Sequence, residues 1–247
     1  MEPWGRVDGD ALAAYLAPRA PHATRPWVVA NMVAGLDGCA ARGGRVGGLS
    51  GAADQELFRR LRQVADVVLV GARTVRLERY GPVRLTDDEQ AVRTERGQQP
   101  LPRMAIVSGS LDFDWTIPLF GDSATGPGAP VFLTSAAADP AAIAAAEQHG
   151  EVLVAGDASV DLVAALTSLH ASGTGTVLTE GGPHLLGELA AKGLLDELCL
   201  TLSPVMGGDP LPVAVWPPNT APWDFRLASV ATEDGHLFLR YLQEPQP

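Results

Sequence analysis

Apolar residues in this chain gather into short continuous runs instead of alternating with polar residues. The longest follows Pro26 and covers residues 27–34, and shorter ones occur at 66–70, 104–107, 131–133, 152–154 and 176–179. A run of this kind predicts a strand buried on both faces, as in a sheet covered by helices. The chain is therefore expected to contain a mostly parallel sheet.

Helix signals lie between these runs. Ser50 or Gly51 can cap a helix that ends near Val64, and a short helix is expected over 74–79. Further helices are predicted over 140–148, 159–171 and 183–192, the last with proline first and glycine after it. Strands and helices thus alternate, which favours an α/β fold.

The last fifty residues follow a different pattern. Strands are predicted at 197–203, 225–232 and 237–242 without helices between them, and Asp234-Gly235 forms a hairpin turn. The predicted fold class is α/β, with a mostly parallel central sheet flanked by helices and antiparallel C-terminal strands. Residues 1–24 are interpreted as an N-terminal arm and 25–247 as a single domain.

Three segments are predicted as loops. The first is a flexible stretch in which Gly43-Gly44 and Gly47-Gly48 flank Val46. The second, 85–102, is polar and without a periodic pattern, and the third, 207–224, is rich in proline and glycine.

Composition narrows the class of protein. With 46% apolar and 19% charged residues, the chain is not of the disordered type. No run of about 18 apolar residues and no secretory signal is visible, so neither a membrane span nor export is expected. Cys39 and Cys199 are interpreted as free thiols of a cytoplasmic protein, and their spacing suits no zinc site.

Charge is unevenly spread. The net charge of −11 argues against a nucleic-acid partner, yet residues 42–84 hold nine arginines and four acids. This arginine-rich segment predicts a small anionic ligand. For Arg59 and Arg60 a solvated helix face is the competing interpretation. Because Lys192 is the one lysine, Schiff-base chemistry is not expected.

Candidate binding turns follow three predicted strands, at the sheet edge where open α/β proteins bind ligands. They are 71–74 with Gly71 and Thr74, 108–110 with Ser108, and 179–185 with Gly181, Gly182 and Pro183. Free N–H groups at such turns suit phosphates, although each could also be an ordinary turn.

Candidate acid–base groups are Asp37 and Glu180, each directly after a predicted strand, and Glu180 could alternatively cap a helix. Ser50 lies outside a nucleophile motif, and the five histidines show no metal spacing. Several phosphate-binding turns without a metal or nucleophile fit a dinucleotide, because hydride transfer needs mainly positioning and electrostatics from the protein.

Four motifs occur in order: Asn31–Gly38 (NMVAGLDG), Leu69–Arg76 (LVGARTVR), Thr179–Leu185 (TEGGPHL) and Gly193–Leu198 (GLLDEL). Together they resemble the reductase domain of riboflavin biosynthesis, the C-terminal half of the bacterial deaminase–reductase. The resemblance covers about residues 25–243. It implies a dihydrofolate-reductase-like fold and a homodimer built partly by the C-terminal strands.

The resemblance also implies a reaction. That family reduces 5-amino-6-(5-phosphoribosylamino)uracil with NADPH, and the ribosyl C1′ accepts the hydride. By position in the motifs, Asn31 and Asp37 would lie near the reacting carbon, Glu180 at the sugar hydroxyls and Arg62 at the substrate phosphate. The implied cofactor-binding residues are Val33, Gly71, Thr74, Glu78, Ser108, Gly181, Gly182, Pro183, His184 and Leu185.

The chain also departs from the family pattern. Gly48 stands where many bacterial members carry tryptophan, Asn31 replaces a lysine, and Glu78 replaces an aspartate. The deaminase zinc motifs do not occur in these 247 residues. Two other functions therefore stay open: an NADPH-dependent reductase of a dihydropterin or another heterocycle, and a nucleotide-binding protein without catalysis.

Overall fold

The computed structural model describes residues 15–121 and 128–244, and every structural statement concerns that part of the chain. Nine strands occur in it: β1 Trp27–Ala34, β2 Val67–Gly71, β3 Arg103–Val107, β4 Val131–Thr134, β5 Glu151–Val154, β6 Thr176–Thr179, β7 Glu197–Leu202, β8 Phe225–Glu233 and β9 His236–Gln243. Every predicted strand is confirmed. Of the six strands predicted from apolar runs, only β5 contains no buried residue.

Six α-helices connect the strands in the described residues: α1 Ala52–Val64, α2 Ala72–Glu78, α3 Asp87–Glu95, α4 Pro140–Glu147, α5 Leu162–Ala171 and α6 Pro183–Ala191. The prediction of a loop over 85–102 is wrong because α3 lies within it. Thr86 accepts the Glu89 N–H at 3.3 Å, and the Glu89 carboxylate accepts the Thr86 N–H at 2.8 Å. This reciprocal capping box starts α3 despite its polar sequence.

The chain divides into two compact units. The first contains the described residues up to Pro18, then Val28–Leu61 and the chain from Thr179 onward, and the second contains Arg19–Trp27 and Arg62–Leu178. The prediction of a single domain over 25–247 stays a prediction.

The second unit is built on parallel strands in the order β5-β4-β3-β2-β6, in which β2 pairs with β3, β3 with β4 and β4 with β5 in parallel. Its core lies on these strands and includes Val68, Ile106 and Phe132, packed with Phe113 and Phe120.

In the first unit β1 pairs in parallel with β7, and β7-β9-β8 continue as antiparallel neighbours. The β8–β9 hairpin turns at Asp234 (φ 47°) and Gly235 (φ 77°), both left-handed, as its two-residue turn requires. The predicted fold class, mostly parallel strands with antiparallel C-terminal strands, is confirmed.

Part of the predicted N-terminal arm packs into the protein. Residues 1–14 lie outside the described residues, but Tyr15 is only 1% exposed and belongs to the first unit. Burial raises the pKa of its phenol. Tyr15 therefore contributes to the core.

The long segment between β7 and β8 is held against α6. The Val215 N–H donates to the Pro183 carbonyl at 2.9 Å, and Trp223 Nε1 donates to the Ala191 carbonyl at 3.2 Å. A Cβ on Gly187 would collide with the Val215 carbonyl, so α6 needs glycine there. The predicted loop is present, and hydrogen bonds fix it at both ends of α6.

Candidate active site

Asn31 lies in the middle of β1 and is 7% exposed. Its amide Oδ1 is buried and accepts no hydrogen bond from any described residue. Because a buried acceptor without a partner costs about 1–3 kcal/mol, such atoms in native proteins call for an explanation. An N–H or O–H group of a ligand would satisfy this atom.

The Glu180 turn (residues 180–182) follows β6 and leads into α6, and the chain from Thr179 onward belongs to the first unit. Glu180 is 9% exposed, and Gly181 (φ 115°) and Gly182 (φ 82°) both have left-handed backbone. A Cβ built on Gly181 would lie 3.8 Å from Met32 Sδ. The structure thus brings this turn against β1 at Met32, the residue that follows Asn31 in the chain.

The sequence explains the shape of this turn. Only glycine adopts two consecutive positive φ values at low cost, and Pro183 then supplies a backbone suited to the first helical position. A Cβ on Gly181 would make only ordinary contacts inside the protein. Backbone conformation, not internal crowding, therefore requires the glycine at position 181.

The other predicted cofactor residues of the first unit differ in exposure. His184 is exposed on the first turn of α6, whereas the Leu185 side chain is 8% exposed and packs inside. Val33 on β1 packs with Cys39 and Leu49. His184 can meet a ligand with its side chain, and Leu185 can do so mainly through its backbone.

Asp37 lies in the exposed turn after β1, where it organises the backbone. Its carboxylate accepts the Cys39 N–H at 3.3 Å and the Gly207 N–H at 2.7 Å. Hydrogen bonds from the Cys39 thiol and these amides hold the pKa of Asp37 well below its usual range. Such a carboxylate stays ionised and is unsuited to donate a proton. Its catalytic role stays a prediction, and the geometry favours a structural one.

The predicted cofactor residues of the second unit lie at the carboxyl ends of β2 and β3. Gly71 ends β2 and pairs with Val107 at the end of β3, which Ser108 follows. The Ser108 hydroxyl accepts the Leu111 N–H at 2.9 Å, so this residue also shapes its own turn. Thr74 and Glu78 lie on α2. Gly71, Thr74 and Ser108 are thus brought to one sheet edge.

Gly71 is not required by its backbone. Its φ of −80° suits any residue, and a Cβ would meet no atom within 4 Å. The structure therefore gives no backbone or packing reason for glycine at this position.

The nine arginines of the arginine-rich segment have different environments. Arg59 and Arg60 pair with Glu56 at 2.8 and 2.7 Å along α1, which favours the helix-face interpretation. Arg76 and Arg79 reach the loop after β3, at the Asp112 carbonyl and the Asp114 carboxylate. Those that are exposed and make no ion pair with described residues are Arg42, Arg45, Arg73 and Arg84.

Arg62, the predicted phosphate ligand, lies near the end of α1, its guanidinium carbon 5.9 Å from the centre of the Tyr80 ring. Sequence reasoning missed its support, the fully buried Arg93 on α3. Arg93 Nη1 donates to the carbonyls of Gln63 (2.9 Å) and Ala65 (2.6 Å). Burial lowers its pKa to about 10. Arg93 therefore fixes the chain just after Arg62.

The described residues contain no group of three or more His, Cys, Asp or Glu side chains placed to hold a metal ion. Their helices are also too short or too polar to cross a membrane. Cys39 and Cys199 are buried free thiols.

Comparison with known proteins agrees with the family resemblance of the four sequence motifs. The model of one family, the RibD C-terminal domain, matches residues 26–234. A reductase from Archaeoglobus fulgidus, called 2,5-diamino-6-ribosylamino-4(3H)-pyrimidinone 5′-phosphate reductase, is 29% identical over 188 residues, 74% of this chain and 83% of its own. Its counterpart of the same name from Methanothermobacter thermautotrophicus is 28% identical over 186 residues, 74% of this chain and 80% of its own.

Solved structures of similar fold agree with the match to this family. A pyrimidine reductase-like protein from Corynebacterium diphtheriae superposes with a TM-score of 0.80 at 28% identity, covering 90% of this chain and 93% of that one. The Saccharomyces riboflavin biosynthesis reductase Rib7 superposes with a TM-score of 0.65 over 95% of this chain and 98% of its own. At 18% identity the latter supports the fold alone.

Proposed function

We propose, from the premise that this chain belongs to the RibD C-terminal domain family, that it reduces a ribosylaminopyrimidine 5′-phosphate with NADPH. The observation that carries the proposal is the buried, unsatisfied Oδ1 of Asn31 on β1, the strand that the Glu180 turn approaches at Met32. An acceptor and a carboxylate on neighbouring segments suit a ligand rich in N–H and O–H donors. A ribosylaminopyrimidine is such a ligand.

In this proposal the two side chains act on the substrate. Glu180 accepts hydrogen bonds from ribosyl hydroxyls, and Asn31 Oδ1 accepts one from an N–H or O–H group near C1′. Both are less than a tenth exposed, so water competes poorly for these contacts. Reduction then adds hydride to C1′, breaks the C1′–O4′ bond and places a proton on O4′. The nicotinamide, when bound, supplies the hydride.

NADPH is proposed as the cofactor on separate grounds in each unit. In the first unit, α6 begins after Gly181 and Gly182 without a side-chain cap on the N–H groups of its first turn, which suits a phosphate group. In the second unit, Thr74 and Ser108 offer hydroxyls at the end of β2 and β3, and Arg73 is exposed beside them. Arginine and hydroxyl donors favour the extra phosphate of NADPH over NADH.

Gly182→Ala is expected to weaken NADPH binding by roughly tenfold, since a side chain at φ 82° strains the turn by about 1–2 kcal/mol. Fluorescence titration with NADPH measures it. Gly128→Ala is the control for the lost glycine, because Gly128 is exposed, a Cβ there would meet no atom within 4 Å, and it is not among the implied cofactor-binding residues. Equal affinity of the Gly182→Ala and wild-type proteins would contradict this assignment of the turn.

The decisive test of the proposed function follows oxidation of NADPH by absorbance. The substrates are the 2,5-diamino pyrimidinone named for the relatives and its deaminated uracil counterpart, with dihydrofolate as control. Turnover of either pyrimidine, slower with NADH, is the expected result. Turnover of dihydrofolate alone would refute the proposal.

A homodimer and a cytoplasmic location complete the proposal. Among the described residues β8 pairs with one strand, β9, and a strand edge without a partner must be paired or protected. Light scattering at micromolar concentration is expected to give twice the monomer mass, and a monomer would contradict the dimer. Two buried free thiols are compatible with a reducing compartment.

A further inference from the structure

Residues 42–45 form a two-residue β-hairpin instead of the flexible loop predicted from the sequence. Arg42 and Arg45 form an antiparallel bridge, with N–H to carbonyl distances of 2.9 and 3.4 Å. Gly43 (φ 62°) and Gly44 (φ 76°) supply the two left-handed residues of this turn type. Residues directly paired across such a bridge project their side chains to the same side, about 5 Å apart at Cβ.

The hairpin is held from outside by one carboxylate. Asp209 accepts the Gly44 N–H at 2.6 Å and the Gly43 N–H at 3.2 Å, and its own N–H donates to the Ala41 carbonyl at 2.8 Å. These three bonds fix the turn and its first strand. The Asp209 charge is directed at backbone amides, so it leaves the two arginines without an acidic partner.

The two guanidinium groups are exposed, and neither pairs with an acid among the described residues. The Arg42 side chain lies against Gly48. A Cβ built on Gly48 would approach Arg42 Cβ to 3.1 Å and Arg42 Cδ to 3.6 Å. Like charges directly opposite each other in a β pair are destabilising. A braced hairpin that holds two unpaired arginines on one side is therefore suited to an anion that neutralises both.

We propose that Arg42 and Arg45 together bind the phosphate monoester of a ligand. The inference rests on the proposed function, in which a 5′-phosphate distinguishes the substrate, and it adds a phosphate contact in the first unit that is separate from Arg62. Two forked guanidiniums match the oxygens of a phosphate dianion better than they match a neutral sugar. The hairpin and Asn31 belong to the same unit, which favours the 5′-phosphate of the substrate over the 2′-phosphate of NADPH.

The test is the double variant Arg42→Gln/Arg45→Gln. Its matched control is Arg59→Gln/Arg60→Gln, which removes the same charge from the Glu56 pairs of α1. Calorimetry measures binding of ribose 5-phosphate and ribose, and kinetics compare the phosphorylated substrate with its dephosphorylated form. We expect the hairpin variant to lose about 10- to 100-fold in affinity and kcat/KM for the phosphorylated ligands, because each charge-assisted contact contributes about tenfold or more. The dephosphorylated ligands should be unaffected.

The other outcomes are equally decisive. If the hairpin variant loses NADPH affinity but keeps NADH affinity, the phosphate site stands and its source is the cofactor. If both double variants bind every ligand like the wild type, the inference is wrong. If the wild type reduces no pyrimidine yet loses ribose 5-phosphate binding in the hairpin variant, the proposed function fails and the phosphate site stands.

Discussion

Replacing Glu180 by glutamine is expected to lower kcat/KM for the pyrimidine substrate by roughly 10- to 150-fold. Glutamine keeps the size of the side chain but removes the charge that strengthens hydrogen bonds from the sugar hydroxyls. Such bonds contribute about 1.5–3 kcal/mol each, and about 1.4 kcal/mol is a tenfold change in kcat/KM. The burial of Glu180, which is 9% exposed, keeps these bonds from being replaced by water.

Steady-state kinetics and NADPH titration measure this effect. Glu188→Gln is the control, because Glu188 lies exposed on α6 in the same unit. NADPH affinity should be unchanged in both variants. A loss of NADPH affinity with normal substrate kinetics would place Glu180 on the cofactor, and no change in either would leave it as a helix-capping acid.

Glu197→Gln is expected to destabilise the protein by about 3–5 kcal/mol, the cost of removing one partner from a buried ion pair. Glu197 on β7 is fully buried and accepts Arg240 Nε at 2.7 Å and Nη2 at 3.2 Å. Burial alone would lower the pKa of Arg240, but the hydrogen bond and charge of Glu197 outweigh it and raise that pKa. Without the Glu197 carboxylate, the arginine charge is left unpaired in a partly buried site.

Urea unfolding monitored by fluorescence measures the loss. The double variant Glu197→Leu/Arg240→Leu should recover most of it, because an apolar pair leaves no uncompensated charge. A single variant that unfolds within about 1 kcal/mol of the wild type would show that the pair is effectively solvated.

The sequence predicts most of this fold because buried parallel strands appear as apolar runs, which need no tertiary information. α3 was missed for a physical reason, since its buried residues are the charged Glu89 and Arg93 and its sequence carries no apolar period. The signal that would have found it is Thr86 followed three residues later by Glu89. Arg93 could not be predicted, because buried arginines are rare and its partners are carbonyls.

The sequence likewise predicts some residues of the candidate site and misses the long-range contacts that define the others. Motifs indicated Asn31 and Glu180, and the structure places their segments side by side. From the sequence Asp37 was an equally good acid–base candidate, because the bond that its carboxylate accepts from Gly207 comes from a segment 170 residues away. The Gly43-Gly44 pair between two arginines does carry a hairpin signal, but the Asp209 brace is a long-range contact that the sequence does not show.

The fixed segment between β7 and β8 limits how this protein can be engineered. Its proline- and glycine-rich composition suggests a convenient place for an affinity tag or an inserted domain. The bonds from Val215 and Trp223 to the two ends of α6, and the close approach at Gly187, mean that an insertion there would pull on the helix that begins at the Glu180 turn. The β8–β9 turn at Asp234-Gly235, a two-residue hairpin tip, is the better place for added sequence.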